Sequence, residues 1–396
     1  MATRAGVGVS EQSNTSYEAG VEAATLALAK ADGNEPLQLV IVLVTEQFQE
    51  SELLRGVKSV TGDTPLVGCT AASIIANGKV YGNAVAVAVL RSDTLTVRCS
   101  LSENISGGAK DAGIRLATGL SSGGVSMNPE SVILMFVDAS RTTGVITEVL
   151  SGAYEELGAL SRFIGGGSSD NLHFKKSSQF LNGEVYQDAA VAVMLTTQTP
   201  QVVSLKHGWE PTAKNHVVTK AQGKVVMQLD GQPALQVYMN ALNEDITTFD
   251  FEKFYPFASA HPLGIPRSRG EFIIRDPLSA SVADNSITFV SEVPENSIVQ
   301  IMEGTKDSLL DASRTAAAQA RETLNGQEPA LVFVADCVSR LLFFGDRIGE
   351  ELANITIGTN ADEPMIGFFS FGEIGVEKGG QPAFHNKTCA LYVIPQ

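Results

Sequence analysis

Runs of aliphatic and β-branched residues recur along the chain, each too short for a helix of ordinary length, and they predict strands buried on both faces. The first spans 39–45, and Ile133-Leu134-Met135-Phe136-Val137 and Leu331-Val332-Phe333-Val334 are two more. Helical patterns accompany them. Thr15-Ser16-Tyr17-Glu18 reads as a capping box that opens an alanine-rich helix, ended by Gly33 and Pro36. Ile146, Val149, Leu150, Ala153 and Leu157, three and four residues apart, line one apolar helix face. Each pattern then reaches a short strand closing on glycine: Pro65-Leu66-Val67-Gly68, Arg162-Phe163-Ile164-Gly165 and Pro364-Met365-Ile366-Gly367. A hairpin of variable length follows. A third strand opens on a polar residue and turns apolar, at Asn83-Ala84-Val85, Asp188-Ala189-Ala190 and Asn386-Lys387-Thr388-Cys389.

A weaker fourth copy begins at the helical pattern 234–243 and runs through 272–275, 286–290 and 297–302 into a helix over 308–324. The expected fold is therefore mixed α/β: repeated β-α-β-β units forming mixed sheets packed against helices, in two tandem halves. The division falls at 1–210 and 211–396. Thr199-Pro200, Trp209 and Pro211 interrupt the pattern there, so 199–225 reads as a packed connector. A strand–helix–strand step implies a parallel pair, and ligands gather beyond the carboxyl ends of such strands.

Net charge changes the choice of partner. At −16, the surface repels phosphate backbones and anionic headgroups, which excludes nucleic acid and membrane surfaces as first guesses. Cys69, Cys99, Cys337 and Cys389 form no C-x-x-C pair, as expected of thiols in a reduced compartment. No apolar run follows Arg4, and none in the chain approaches the twenty residues of a bilayer span; a cytoplasmic protein is expected.

The strand-end loops carry the candidate chemistry. Asp336-Cys337-Val338-Ser339-Arg340 places a thiol near a helix start and a guanidinium, both of which favour thiolate. Read functionally, Cys337 contacts a ligand or acts as nucleophile and Arg340 clamps an anion; read structurally, the cysteine is core and Arg340 is in an ion pair. Asp138-Ala139-Ser140-Arg141 occupies the matching position without a thiol. The second-strand loops are Gly68-Cys69-Thr70, Gly165-Gly166-Gly167-Ser168-Ser169-Asp170 and Gly367-Phe368-Phe369-Ser370-Phe371-Gly372-Glu373. Their glycines allow close backbone approach, and their hydroxyls and carboxylates offer polar partners. Glu373 and Arg340 could hold the two ends of a zwitterion or pair with each other. No P-loop, dinucleotide fingerprint or nucleophile elbow is present, and His173, His207, His216, His261 and His385 lack metal-ligand spacing. No cofactor or metal is expected.

These motifs resemble one family. Val67-Gly68-Cys69-Thr70-Ala71-Ala72 is similar to the G-C-[ST] segment of the FIST N-terminal domain, and the block from His216 to Tyr238 is similar to the family's connector. His261-Pro262-Leu263-Gly264 with Ile274-Arg275-Asp276 resembles its P-L-G…R-D signature. Cys337-Val338-Ser339-Arg340, the stretch from Gly367 to Gly375, and His385-Asn386-Lys387-Thr388 resemble the C-terminal domain's C-x-x-R, G-F-x-x-x-G-E-I-G and H-N-x-T. The resemblance implies a sensory protein of signal transduction whose ligand is an amino acid or other small carboxylate. The sequence carries no attached kinase, cyclase or receptor module, so it would signal through a separate partner protein or serve as a binding protein. Loop position and motif match together give the candidate ligand-binding residues Cys69, Thr70, Gly167, Ser168, Asp170, Cys337, Arg340, Glu373 and Asn386. Two alternatives stay open: an enzyme using Cys337 or Cys69 as nucleophile, for which no base is fixed by sequence, and a scaffold for protein partners.

Overall fold

The computed structural model describes residues 3–11, 15–122, 128–140, 144–360, 364–376 and 380–396. Its first 91 residues give β1 (Arg4–Ser10), α1 (Ser16–Lys30), β2 (Leu37–Val44), α2 (Glu50–Thr61), β3 (Leu66–Thr70), a hairpin of β4 (Ile74–Ala76) and β5 (Lys79–Tyr81), and β6 (Val85–Arg91). The Thr15 hydroxyl caps α1 by accepting the Glu18 amide at 3.2 Å. The same order follows in β7 (Thr96–Glu103), α3 (Ala109–Ser121), β8 (Val132–Asp138), α4 (Gly144–Leu157), β9 (Arg162–Ser168), the hairpin β10 (Gln179–Leu181) and β11 (Glu184–Tyr186), and β12 (Ala189–Thr196).

Strand β13 (Val202–Lys206) opens a third series, which an insertion interrupts. The insertion holds β14 (Glu210–Gln222), β15 (Val225–Leu229), β16 (Gln232–Pro233), α5 (Ala234–Ala241), α6 (Phe254–Ala258), β17 (Leu263–Pro266) and β18 (Phe272–Arg275). It continues with β19 (Pro277–Ser281), β20 (Ser286–Phe289) and β21 (Ile298–Glu303). The series resumes with α7 (Lys306–Thr323), β22 (Pro329–Cys337), α8 (Val338–Phe344), α9 (Ile348–Thr359), β23 (Met365–Ser370), the hairpin β24 (Glu373–Gly375) and β25 (Ala383–His385), and β26 (Cys389–Pro395).

Four sheets result, and the fold is mixed α/β. Three of them run β1-β6-β2-β3-β10-β11, β7-β12-β8-β9-β24-β25 and β13-β26-β22-β23-β4-β5. Each has a parallel pair (β2/β3, β8/β9, β22/β23) and is completed by a hairpin from a different series. Gly68, Gly165 and Gly367 hold the same register in the three pairs, opposite Val42, Met135 and Val334. A Cβ on them would lie 1.8, 1.9 and 2.3 Å from those residues' carbonyl oxygens, so no side chain fits. The three sheets turn one face each toward a shared core, in which Phe136, Phe333 and Phe368 pack with ring centroids 5.8–6.1 Å apart. Helix pairs α1/α2, α3/α4 and α7/α9 cover the outer faces.

Two expectations need correction. The stretch read as a fourth copy contains no parallel pair among the described residues; β14, β15 and β17–β21 form an eight-stranded antiparallel sheet over its own core, together with β16. An antiparallel meander broken by short helices alternates strand and helix much as a β-α-β step does. The segment read as a connector is ordered sheet: β13 pairs with β26, and β14 with β15 and β21.

Candidate functional site

Side chains alternate across a strand, so the residues continuing the core faces of β3, β9, β22 and β23 are fixed. They are Cys69, Ser168, Cys337 and Ser370, in line with Val67, Ile164, Ala335 and Phe368 of the shared core. The exchanged hairpins add two more. Gln179 is opposite Cys69, and Glu373 is opposite Gly166. A buried polar layer therefore sits at the carboxyl ends of the parallel strands, above the phenylalanine trio.

Short bonds hold the layer together. The Ser370 hydroxyl donates to Glu373 Oε1 at 2.6 Å, the Thr388 amide donates to Oε2 at 3.1 Å, and the Ser339 hydroxyl donates to Cys337 Sγ at 3.1 Å. The loops themselves interlock. The Ser169 hydroxyl donates to the Phe369 carbonyl at 2.8 Å and accepts the Ala72 amide at 2.9 Å, while Gly167 donates to the Gly372 carbonyl at 2.8 Å.

A second group of charges borders Cys337. Asp276, which follows β18, lies 3.2 Å from Lys387 Nζ, and both side chains are almost wholly buried. Lys387 Nζ makes no well-aligned hydrogen bond and sits 5.3 Å from the centre of the Trp209 ring. Asn386 Oδ1 is likewise buried and unpartnered.

Arg340 is turned inward and is wholly buried. Its Nε lies 3.2 Å from Asp336 Oδ1, its Nη2 donates to Glu351 and to the Leu309 carbonyl, and its Nη1 donates to the carbonyl of His207 at 2.8 Å. Asp336 Oδ1 also accepts the Cys337 amide at 2.9 Å, so the guanidinium fixes the backbone that carries the thiol. Asp336, Glu351 and Cys389 lie within metal-ligand reach of one another, but Arg340 already supplies the positive charge there.

Burial dominates the titration of these groups. It pushes the thiols of Cys69 and Cys337 well up, and it raises Asp276 and Asp336. It also lifts Glu373 to about 8 against the hydrogen bonds of Ser370 and Thr388. Neutral Glu373 therefore stabilises the fold fully below its ordinary value of 4.5, and that stability is lost as pH rises through about 8. Two buried histidines contribute to the acid limb. Burial, then Arg275, holds His385 down to about 3, and burial, then Arg340, holds His207 down to about 4; their contributions are lost as pH falls from 6.5 toward those values. Glu373→Gln, which cannot ionise, should flatten the decline in Tm between pH 6 and pH 9, and an unchanged slope would assign that limb to another group.

Of the residues singled out from sequence, Cys69, Ser168, Cys337 and Glu373 share the layer, and Thr70 and Gly167 belong to its interlocked loops. Asn386 borders it beside Lys387. The Asp170 carboxylate accepts the amides of Phe174, Lys175 and Lys176, and so shapes the loop over 171–176. Arg141 lies outside the described residues. Sequence reasoning missed Gln179, Asp276, Lys387 and Glu351. Only the H-N-x-T and R-D motifs, which flank or contain two of them, carried any signal. An open cleft of about 530 Å³ lined by Lys58, Val97, Arg98, Cys99 and Asn182 includes none of the residues of this layer.

A model of the FIST N domain matches residues 38–232, and a model of the FIST C domain matches residues 234–376. An uncharacterized protein of Methanocaldococcus jannaschii is 26% identical over 321 residues, covering 78% of this chain and 61% of the relative's own length. An uncharacterized protein of Mycobacterium tuberculosis is 24% identical over 402 residues, 98% of each chain. Among solved structures, cyanuric acid hydrolase from A. caulinodans aligns at 11% identity over 50% of this chain and 72% of that chain, with a TM-score of 0.30.

Proposed function

The chain belongs to the FIST family, whose domains are associated with sensory signal transduction and small-ligand binding, and from that premise we propose that it is a cytoplasmic sensor binding a small polar metabolite in the layer above the phenylalanine trio. The ligand is an amino acid or another small carboxylate, and the signal passes to a separate partner protein. Among the described residues no helix is long and apolar enough to cross a membrane.

One observation carries the reading: polar and ionisable side chains from exchanged hairpins and four strand ends converge at a single buried level, beside a lysine whose ammonium has donors to spare. Lys387 takes the anionic group, because the Arg340 guanidinium is wholly buried between Asp336 and Glu351 and its two Nη atoms are engaged by Glu351 and by backbone carbonyls. Asn386 offers an acceptor to the ligand's cationic end. Cys69, Ser168, Cys337 and Glu373 form the wall, and the backbone of Thr70 and Gly167 closes it. Arg340 and Asp170 act at one remove, by positioning Asp336–Cys337 and the 171–176 loop. The raised thiols favour contact over nucleophilic attack, since the thiolate is scarce at neutral pH.

A thermal-shift screen of amino acids, organic acids and aldehydes tests this. A ligand at a hundred times its Kd adds about 2.7 kcal/mol of stability. Cys337→Ser should keep that shift, and the paired change Lys387→Met with Asp276→Asn, which removes both buried charges together, should lose it. No shift with any compound, or an undiminished shift in the paired variant, would overturn the assignment.

A further inference from the structure

Gln179, the first residue of β10, is wholly buried, and neither its amide oxygen nor its amide nitrogen has a hydrogen-bond partner. A carboxamide has two donor hydrogens and two acceptor lone pairs, and leaving them unmet in the interior is costly. Leucine or methionine would fill the space at lower cost. Stability therefore gives no reason for an amide here.

Its surroundings supply one. Gln179 is opposite Cys69 in the strand register, so the two side chains share a face. The Ser168 hydroxyl, beside the Cys69 thiol, is also wholly buried and makes no well-formed hydrogen bond. Unmet donors and acceptors thus face the same layer from two strands of different sheets. Both side chains are neutral, so a neutral group can meet them without burying an uncompensated charge.

We infer that Gln179 and Ser168 form a subsite for a primary carboxamide on the ligand. Two carboxamides pair head to head through two antiparallel N–H···O bonds, and this uses both ends of the Gln179 side chain at once. A hydroxyl meets only one end. A carboxylate meets the nitrogen but sets a negative charge against the amide oxygen, in a place too dry to screen it. The inference rests on the binding role proposed above and narrows the ligand to small carboxylates that also carry a primary carboxamide, amino acids with carboxamide side chains among them. The loop over 171–176, which joins Ser168 to Gln179, is exposed throughout and holds Leu172 and Phe174 at φ of 61° and 52°, a conformation uncommon for such residues.

Calorimetry and thermal shift on the full chain, with acetamide, asparagine and glutamine set against acetate, aspartate and glutamate, test the subsite. The amides should bind about tenfold or more tightly than the matching acids, as expected for two hydrogen bonds. Gln179→Leu should lose that preference while the ligand-free protein melts no lower than wild type, and Gln179→Met serves if the leucine variant folds poorly. Acids preferred over amides, or amide binding unchanged in both variants, would overturn the subsite and leave the binding role standing. Only ordered water beside Gln179 in crystals soaked with acetamide would also overturn it. No shift with either class of compound would overturn both.

Discussion

Arg340→Ala should destabilise the ligand-free protein by about 3 kcal/mol or more, enough to be seen as a large drop in Tm. The guanidinium is wholly buried between Asp336 and Glu351 and donates to three carbonyls, those of His207, Leu309 and Lys387. Removing it leaves two carboxyl groups facing each other in a dry interior with no countercharge. Asp336, already raised by burial and by its Glu351 neighbour, is relieved only by protonation, so the deficit should grow as pH rises. Arg340→Lys should recover part of the loss, because an ammonium satisfies one carboxylate but cannot span both with a planar fork. Thermal melts of the three proteins, with and without ligand, decide the matter. A variant that keeps its Tm but loses ligand affinity would return Arg340 to direct ligand contact.

Alanine at Gly68 or Gly165 should cost roughly 3 kcal/mol or more, beyond ordinary overpacking, because the new methyl group meets a backbone carbonyl that cannot rotate away. The added Cβ would stand 1.8 Å from the Val42 oxygen in one case and 1.9 Å from that of Met135 in the other, and Gly165 also holds a φ of 138°. Gly82→Ala is the control, since nothing lies within 4 Å of its added carbon. It should change stability by no more than about 0.5 kcal/mol. Equal losses at Gly68 and Gly82 would show that the parallel pairs tolerate separation.

The buried strands and their terminal glycines were legible because each is specified locally: an aliphatic run has no other stable home, and a strand packed tightly against its neighbour admits no Cβ. The strand-end loops followed from the same logic, which brought Cys69, Ser168, Cys337 and Glu373 into view. What escaped depends on partners distant in sequence. Lys387 and Asp276 stand in the sequence only as members of the H-N-x-T and R-D motifs, and only the insertion folding against the final hairpin buries them together. Glu351 is eleven residues from Arg340 along the chain, on α9, and nothing in the sequence shows that α9 brings it back to the guanidinium. Gln179 carries no motif and lies in a hairpin of variable length. Its significance appeared only when the register set it across from Cys69.

Each series lends its hairpin to the next sheet in a fixed direction, the first to the third, the second to the first and the third to the second. Such an arrangement has no first or last member. A stack of repeats can fray from its ends, because a terminal repeat loses only one neighbour. Here every member both gives and receives a pair of strands, so loosening any one strips an edge from a second and leaves its own edge bare. A ligand that grips residues contributed by more than one member therefore tightens the whole circuit at once. The binding signal would be read anywhere on the surface, as a change in the cohesion of the ring.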